Sequence, residues 1–169
     1  MVPMILSLPS FETIRHHCEA QWPREACGLV FGGAALRVVP MANLADQLHA
    51  QDPVSFQRDS RTAYVMDPLK VQQLVDDAEA QGEILLAIYH SHPQHPAYFS
   101  LTDQRAAMPF GFPTFPLTWQ LVASVFEREL VDLKGFQWDV ESETWREGQV
   151  KGLPPLKGPP PGARELGDV

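Results

Sequence analysis

Cysteine is scarce in this chain of 169 residues, with Cys18 and Cys27 the only two. They do not form a C-x-x-C pair, which excludes a zinc site built from thiolates. Two cysteines can form at most one disulfide. In the cytoplasm we expect both to be reduced.

Long apolar segments are also missing from the sequence. No apolar run approaches the ~18 residues that a membrane-spanning helix needs. The opening stretch MVPMILSLPSFE has no basic region, and its apolar part is too short for a signal peptide. The sequence therefore predicts a cytoplasmic protein with no membrane partner.

Positive charge is the third shortage. The chain has 13 Lys and Arg against 21 Asp and Glu, and its formal net charge is −8. Nucleic-acid binding depends on clusters of Lys and Arg that neutralise phosphates, and no such cluster is present. We therefore expect no nucleic-acid partner and favour a neutral or basic one.

The composition that remains is that of a globular domain followed by a tail. Hydrophobic residues make up 44% and charged residues 20% of the chain, which is typical of soluble domains. From Lys151 onward, KGLPPLKGPPPGARELGDV is rich in proline and poor in large apolar side chains. Such a segment buries too little surface to offset its ordering entropy. We therefore predict one domain over 1–150 and a disordered, proline-rich tail over 151–169.

Hydrophobic patterning predicts an alternation of helices and strands. SFETIRHHCEA indicates a helix with Ser10 as its N-cap, and a second helix should run from the N-cap Asp67 to Gly82. The polar residues 42–61 are expected to form a long loop, and a short helix should begin at Ser100. The predicted strands are ACGLVFGG with its hairpin partner LRVVPM, TAYVM, the central EILLAIY, TWQLVASVF, LVDLKGFQWDV and ETWRE. This order predicts an α+β fold in which helices flank a mixed, mainly antiparallel sheet.

A group of polar residues follows the central strand. His90 and His92 are related as i and i+2, so an extended backbone directs both imidazoles to the same side. Asp103 would add an oxygen ligand from the start of the next helix. Two histidines and one carboxylate leave a fourth position on zinc for water, which is the pattern of a catalytic site. Water bound to zinc can have a pKa near ~7 and so supply a nucleophile at neutral pH.

Simpler explanations exist for each part of this group. An H-x-H pair by itself is typical of exposed loop histidines, and Ser100 with Asp103 would form an ordinary capping box. The joint spacing H-x-H-x7-S-x2-D is much rarer, expected by chance in roughly five of ten thousand such sequences. The spacing therefore favours a metal site.

That spacing resembles the signature of the JAMM (MPN+) zinc metalloproteases. PREACGLVFGG is similar to the upstream segment that carries the glutamate of the family, with Glu25 in that position. The resemblance extends over about residues 5–147 and is nearest to the short, free-standing bacterial members. It implies an MPN/JAB-like fold, related to that of cytidine deaminases.

The resemblance also implies a role for each residue of the group. His90, His92 and Asp103 would hold one Zn²⁺ ion. Glu25 would act as general base on the zinc-bound water and then as general acid toward the leaving amine. Ser100 would donate a hydrogen bond to the oxyanion. Ser91 is a candidate hydrogen-bond donor behind the ligands.

The implied reaction is hydrolysis of a peptide or isopeptide bond at the C-terminal Gly-Gly tail of a ubiquitin-like protein. The resemblance to the short bacterial members implies a ubiquitin-like sulfur carrier, or a conjugate of its C-terminus, as the partner. Two alternatives remain open at this point: a non-catalytic scaffold of the same fold, and a RadC-like protein with a DNA-linked role. A zinc deaminase is disfavoured because the H-x-E and P-C-x-x-C signatures are missing.

Overall fold

The structure is a computed structural model that describes residues 2–166. Its helices are α1 (Leu8–Gln21), α2 (Ala45–Gln51), α3 (Pro68–Ala80) and α4 (Leu101–Ala107). Its strands are β1 (Met4–Ile5), β2 (Cys27–Gly32), β3 (Leu36–Met41), β4 (Ile84–Pro93), β5 (Trp119–Phe126), β6 (Glu129–Asp139), β7 (Thr144–Gly148) and β8 (Val150–Lys151). No helix in this part of the chain is both long and apolar enough to cross a membrane.

Six of the strands form one sheet in the order β3-β2-β4-β5-β6-β7. The pair β4 and β5 is parallel, and the other neighbours are antiparallel. The remaining strands, β1 and β8, form a separate parallel pair. The predicted fold class, a mixed and mainly antiparallel sheet flanked by helices, is therefore confirmed.

The sheet separates two layers of hydrophobic core. Phe11, Ile14 and Cys18 of α1 pack with the Ala87 and Tyr89 side of β4. Val71, Val75 and Ala78 of α3 pack with Ile88 and the opposite face of β2. Strand β4 is covered on both faces and has a neighbour at each edge, which explains why its sequence is continuously apolar. Its exit consequently lies in a buried environment.

Gly28 in β2 leaves room for the side chain of Tyr89 in the neighbouring strand β4. A Cβ atom at Gly28 would overlap the ring of Tyr89, its pairing partner in β4. The Tyr89 hydroxyl lies 2.7 Å from Nδ1 of His17 in α1. His17 is partly buried by this contact.

Helix α1 begins three residues earlier than the sequence predicted. Its N-cap is Ser7, whose side chain accepts a hydrogen bond from the Ser10 N–H, while Ser10 itself is buried inside the helix. With Ser10 as the N-cap Pro9 would lie before the helix, whereas it lies in the first turn. Proline is well tolerated in a first helical turn, where its missing N–H is not needed.

Two predictions between residues 42 and 66 were wrong. The expected loop contains helix α2, and TAYVM does not form a strand. The side chain of Asn43 provides hydrogen bonds that a neighbouring strand would otherwise make. Its amide donates to the carbonyls of Glu25 and Ala63, at 2.9 and 3.0 Å, and its oxygen accepts the N–H of Val65 at 3.1 Å. The segment is therefore ordered without belonging to the sheet.

The structure differs from the predicted disordered tail over residues 151–166. Strand β8 spans the predicted boundary at residue 150, and Leu153 and Leu156 pack against the α1 layer. Further on, the Gly158 N–H donates to the Val131 carbonyl at 2.8 Å. Two leucines provide the apolar contact, and the prolines reduce the entropy that the segment loses on ordering. The last part of the predicted tail, residues 167–169, lies outside the described residues.

Candidate metal centre

The exit of β4 places both predicted histidines on one face of the sheet. His90 and His92 alternate with Ser91, so their rings point together to the α3 side. His90 is fully buried, and His92 is 7% exposed. The two Nε2 atoms lie 3.1 Å apart. The expected convergence of the two imidazoles is therefore present.

Asp103 joins the histidines from the first turn of α4. Ser100 is the N-cap, its hydroxyl accepts the Asp103 N–H at 3.0 Å, and its own N–H donates to Asp103 Oδ2 at 3.0 Å. The same Oδ2 lies 3.3 Å from Nε2 of His90 and 3.3 Å from Nε2 of His92. The capping box and the approach to the histidines thus use one carboxylate together.

The size of this triangle fits a tetrahedral ion. Zinc bonds of ~2.0–2.1 Å to nitrogen and oxygen place tetrahedral ligands about 3.3–3.4 Å from one another. The three separations here are 3.1, 3.3 and 3.3 Å. A single small divalent cation can therefore contact all three atoms without rearrangement of the backbone.

Hydrogen bonding also orients His92 for a cation. Its Nδ1 lies 2.9 Å from the Pro96 carbonyl, so that nitrogen carries the proton and donates. In the neutral ring Nε2 then has its lone pair directed at the carboxylate oxygen of Asp103, an arrangement that a cation between the two atoms would stabilise. A backbone carbonyl behind a ligating histidine is the usual support for metal binding. The Nδ1 atom of His90 is buried without a partner among the described residues.

Tyr64 forms a wall of the site that the sequence analysis did not identify. Its ring stacks on the imidazole of His90, with centroids 4.5 Å apart. Because Tyr64 lies within the irregular segment held by Asn43, no spacing rule connects it to the histidines. Only an observed contact could have found it.

Glu25 lies beside the two histidines. It is 3% exposed, and one ligand atom each from Glu25, His90 and His92 lies within 4.8 Å of the others. Its backbone is held firmly, since its N–H donates to the Ser60 carbonyl at 2.6 Å and its carbonyl accepts from Asn43. The carboxylate oxygen Oε2 is buried without a partner among residues 2–166. An orphaned oxygen here fits a water or an ion in the site.

Burial and neighbouring charges shift the pKa values of the Glu25 and Asp103 carboxyl groups in opposite directions. Burial, together with the charge of Asp103, raises the pKa of Glu25 well above its usual value, while Arg58 opposes this effect. Burial would also raise the pKa of Asp103, but His90 and His92 outweigh it and lower that pKa. Two acids in one site thus have distinct protonation behaviour, which is common where proton transfer and ligation are separated.

Ser91 lies on the other face of β4 from the histidines. Its hydroxyl accepts the N–H of Ala26 at 2.8 Å, and its own N–H donates to the Ala26 carbonyl at 3.0 Å. These bonds fix the residue that follows Glu25. Ser91 therefore supports the site through Glu25, and within residues 2–166 it makes no hydrogen bond to either imidazole.

The group opens to the surface through a narrow cleft. Its walls include Glu25, Arg58, His92, Tyr98 and Ser100. His95 also lines it and is partly buried. The remaining space is about 20 Å³, room for about one water molecule. Leu166, from the far end of the described chain, closes one side.

Comparison with known proteins identifies the family of this chain. Residues 7–134 match the model of the prokaryotic homologues of the JAB domain. The chain is 35% identical over 107 residues to a probable TtuB-protein conjugate cleaving protease of Thermus thermophilus, and 31% identical over 88 residues to a desampylase of Haloferax volcanii. These matches cover 62% and 52% of this chain, and they span 64% and 58% of the two relatives.

Solved structures support the same fold. A solution structure of a protein from Desulfitobacterium hafniense superposes with a TM-score of 0.62 at 26% identity, covering 87% of this chain and 90% of that one. A solution structure from Salinibacter ruber gives a TM-score of 0.54 at 24% identity, covering 96% of this chain and 95% of that one. By its sequence match over most of its length, the chain belongs to the family of prokaryotic homologues of the JAB domain.

Proposed function

We propose that this protein is a zinc-dependent hydrolase that cleaves a peptide or isopeptide bond after the C-terminal Gly-Gly of a ubiquitin-like sulfur-carrier protein. The observation that carries the proposal is the triangle formed by His90, His92 and Asp103, with the orphaned carboxylate of Glu25 beside it. One relative is named for cleaving TtuB–protein conjugates and another is named a desampylase, and both names agree with this class of reaction.

His90, His92 and Asp103 would hold the ion. Zinc in this position would supply Lewis acidity, both to the substrate carbonyl and to water. The site offers the ion two neutral imidazoles and one carboxylate, a ligand set that leaves room for exchangeable ligands.

Glu25 would move the proton in this reaction. It takes a proton from the attacking water as the new C–O bond forms, and it delivers that proton to the nitrogen as the C–N bond breaks. A carboxylate with a raised pKa suits both halves of this exchange. The products are a carboxylate and a free amine, with no covalent intermediate on the protein.

Ser100 would stabilise the developing negative charge. Its hydroxyl lies at the cleft and would donate a hydrogen bond to the oxyanion as the carbonyl becomes tetrahedral. The cap fixes Ser100 on α4, so this donor is positioned before the substrate binds. Ser91 would act indirectly, by holding Ala26 and hence the neighbouring Glu25 in place.

A Gly-Gly tail is the substrate that best matches so narrow a cleft. Glycine has no side chain, so an extended diglycine can enter where a branched residue would meet the walls. Recognition would rely on backbone hydrogen bonds, as in other modes in which an extended peptide adds along an edge. The leaving group is an amine, either of a conjugated protein or of an amino acid such as cysteine.

Intact-mass measurement on carrier–peptide and carrier–cysteine conjugates tests the proposal. Wild-type protein loaded with zinc should release the carrier ending in Gly-Gly, and a chelator should stop the reaction. Glu25→Gln should lower turnover by at least ~10²-fold while still binding zinc. Glu79→Gln, at an exposed position on α3, is the matched control and should act like the wild type. Equal turnover by Glu25→Gln would reject the proposed base.

Metal analysis and DNA titration separate the two rival functions. A non-catalytic scaffold should purify without stoichiometric zinc, whereas the proposed hydrolase should hold one ion per chain. A RadC-like role would require binding to DNA with a steep salt dependence. A net charge of −8 argues against that role.

A further inference from the structure

The segment 163–166 runs across the mouth of the cleft. Tyr98 accepts the Leu166 N–H at 2.7 Å and donates its hydroxyl proton to the Leu166 carbonyl at 3.1 Å. His95 Nδ1 lies 3.3 Å from the Arg164 carbonyl. The segment is thus attached to the loop that follows β4 by its backbone.

These contacts do not depend on the side chains of the segment. In an extended residue the N–H and the carbonyl point to the same side, and a neighbouring strand normally bonds to both groups. At Leu166 the Tyr98 hydroxyl alone forms hydrogen bonds with both groups. Tyr98 and His95 therefore bind peptide backbone, and any extended peptide of sufficiently small side chains can make the same contacts.

The attachment point lies directly beside the metal ligands. The Tyr98 ring packs edge-on against the imidazole of His92, with centroids 4.9 Å apart. A peptide bound to the Tyr98 hydroxyl would consequently be separated from the candidate ion only by the imidazole of His92 and the Tyr98 ring. Leu166 occupies the Tyr98 hydroxyl both as acceptor and as donor, so a substrate backbone cannot make the same two hydrogen bonds at the same time.

We propose that Tyr98 and His95 form a backbone-binding subsite for the extended tail of the substrate, and that residues 164–166 occupy this subsite as an internal competitor. This inference rests on the proposed function for the identity of its ligand. The segment must leave before substrate binds, so the apparent affinity for substrate falls in proportion to the fraction of molecules with an open cleft.

The anchoring of the segment is suited to exchange. Leu166 is 36% exposed, and the stretch that leads to it contains three consecutive prolines and Gly162 with φ of 80°. The contacts of Leu153 and Leu156 with the core lie upstream and do not need to break. Release therefore involves a few backbone hydrogen bonds rather than unfolding.

Leu166→Pro in the 169-residue chain tests this competition. It removes the N–H that donates to Tyr98, and its position at the surface leaves the core intact. A lost hydrogen bond of ordinary strength should open the cleft enough to lower KM for a carrier conjugate roughly 2- to 10-fold, with kcat unchanged. Glu165→Ala, at the exposed neighbouring residue, is the matched control and should leave KM as in the wild type.

A binding measurement separates this inference from the proposed reaction. A fluorescent peptide ending in Gly-Gly, titrated into chelator-treated protein, should bind Leu166→Pro roughly 2- to 10-fold more tightly than wild type. Adding Tyr98→Phe to Leu166→Pro should remove that gain in affinity, because the hydroxyl that hydrogen-bonds to the peptide backbone is absent. Thermal unfolding of each variant confirms that the fold is retained.

The outcomes distinguish three failures. Tighter peptide binding without cleavage by any variant would reject the proposed hydrolysis and keep the subsite. Cleavage with the same KM and the same peptide affinity in wild type and Leu166→Pro would reject the internal competitor. Unchanged peptide binding after Tyr98→Phe would reject Tyr98 as the backbone-binding residue.

Discussion

The carboxylate of Asp103 caps helix α4 through the Ser100 N–H and faces the two histidines with the same oxygen atom. The helix cap thus fixes the direction in which the carboxylate presents its lone pairs. A residue with this double role links the stability of a short helix to the geometry of the candidate metal site.

Substitutions at Asp103 should separate its two roles. Asparagine keeps an oxygen that can accept the Ser100 N–H, but it lacks the negative charge, whereas alanine loses both. In metal-free protein we expect Asp103→Ala to be less stable than Asp103→Asn by about 1 kcal/mol, the usual worth of a cap. Both variants should bind zinc at least about tenfold more weakly than wild type.

Urea unfolding with a chelator present measures the first difference, and zinc titration against a competing chelator measures the second. Asp76→Asn, at an exposed residue of α3, is the control for loss of one negative charge. Wild-type zinc affinity in Asp103→Asn would mean that this carboxylate is not a ligand.

Zinc should raise the thermal stability of the protein, because the ligand atoms converge only in the folded chain. A free zinc concentration of 100 times Kd would add about 2.7 kcal/mol, which corresponds to roughly 5–10 °C in Tm for a chain of this size. Calorimetry with and without chelator measures the shift. His92→Ala should abolish it, while His16→Ala, at an exposed residue of α1, should keep it. A full shift in His92→Ala would place the ion elsewhere.

The sequence predicted the polar group at the end of β4 because, in a regular strand or helix, the spacing of residues determines the directions of their side chains. Alternation along a strand brought His90 and His92 together, and the cap position of Ser100 located Asp103 on the first turn of α4. Glu25 is different, because nothing in its own neighbourhood distinguishes it among 21 acidic residues. Only a resemblance to a family selected it, and its burial beside the histidines is visible only in three dimensions.

The incorrect or incomplete predictions concern segments whose order comes from single side chains. The bonds of Asn43 organise residues 62–66 without a strand, and Leu153 and Leu156 attach a proline-rich segment to the core. Neither effect has a repeating pattern that a sequence could display. The contact between Tyr98 and Leu166 joins residues 68 positions apart and is hidden for the same reason.

Gly28 should tolerate no side chain. A Cβ atom at this position would overlap the Tyr89 ring. That ring cannot easily move, because it is buried and its hydroxyl is hydrogen-bonded to His17. We expect Gly28→Ala to lower the free energy of unfolding by about 1–3 kcal/mol, the usual cost of overpacking. Gly32→Ala, on the same strand, is the matched control, because its Cβ would meet Leu86 at an ordinary 3.4 Å. Equal stabilities of the two variants in urea would contradict this packing.

The two cysteines should resist alkylation in the folded protein. Both are free and fully buried, and burial raises the pKa of the Cys18 thiol to about 12. Because the thiolate is the reactive form, iodoacetamide at pH 8 should modify neither residue in native protein and both in urea. Intact mass reports the number of additions. Rapid native labelling of Cys18 would show that the layer between α1 and the sheet opens readily.

Packing of the segment after β8 gives a prediction that differs sharply from that for a disordered tail. Leu153 and Leu156 are partly buried against the α1 layer, so each change to alanine should lower the free energy of unfolding by about 1–2 kcal/mol, less than for a fully buried leucine. A leucine in a disordered tail would contribute nothing measurable. Leu117→Ala is the control, since that side chain is 84% exposed. Urea unfolding compares the three variants, and wild-type stability in both tail variants would mean that the segment does not contact the core in solution.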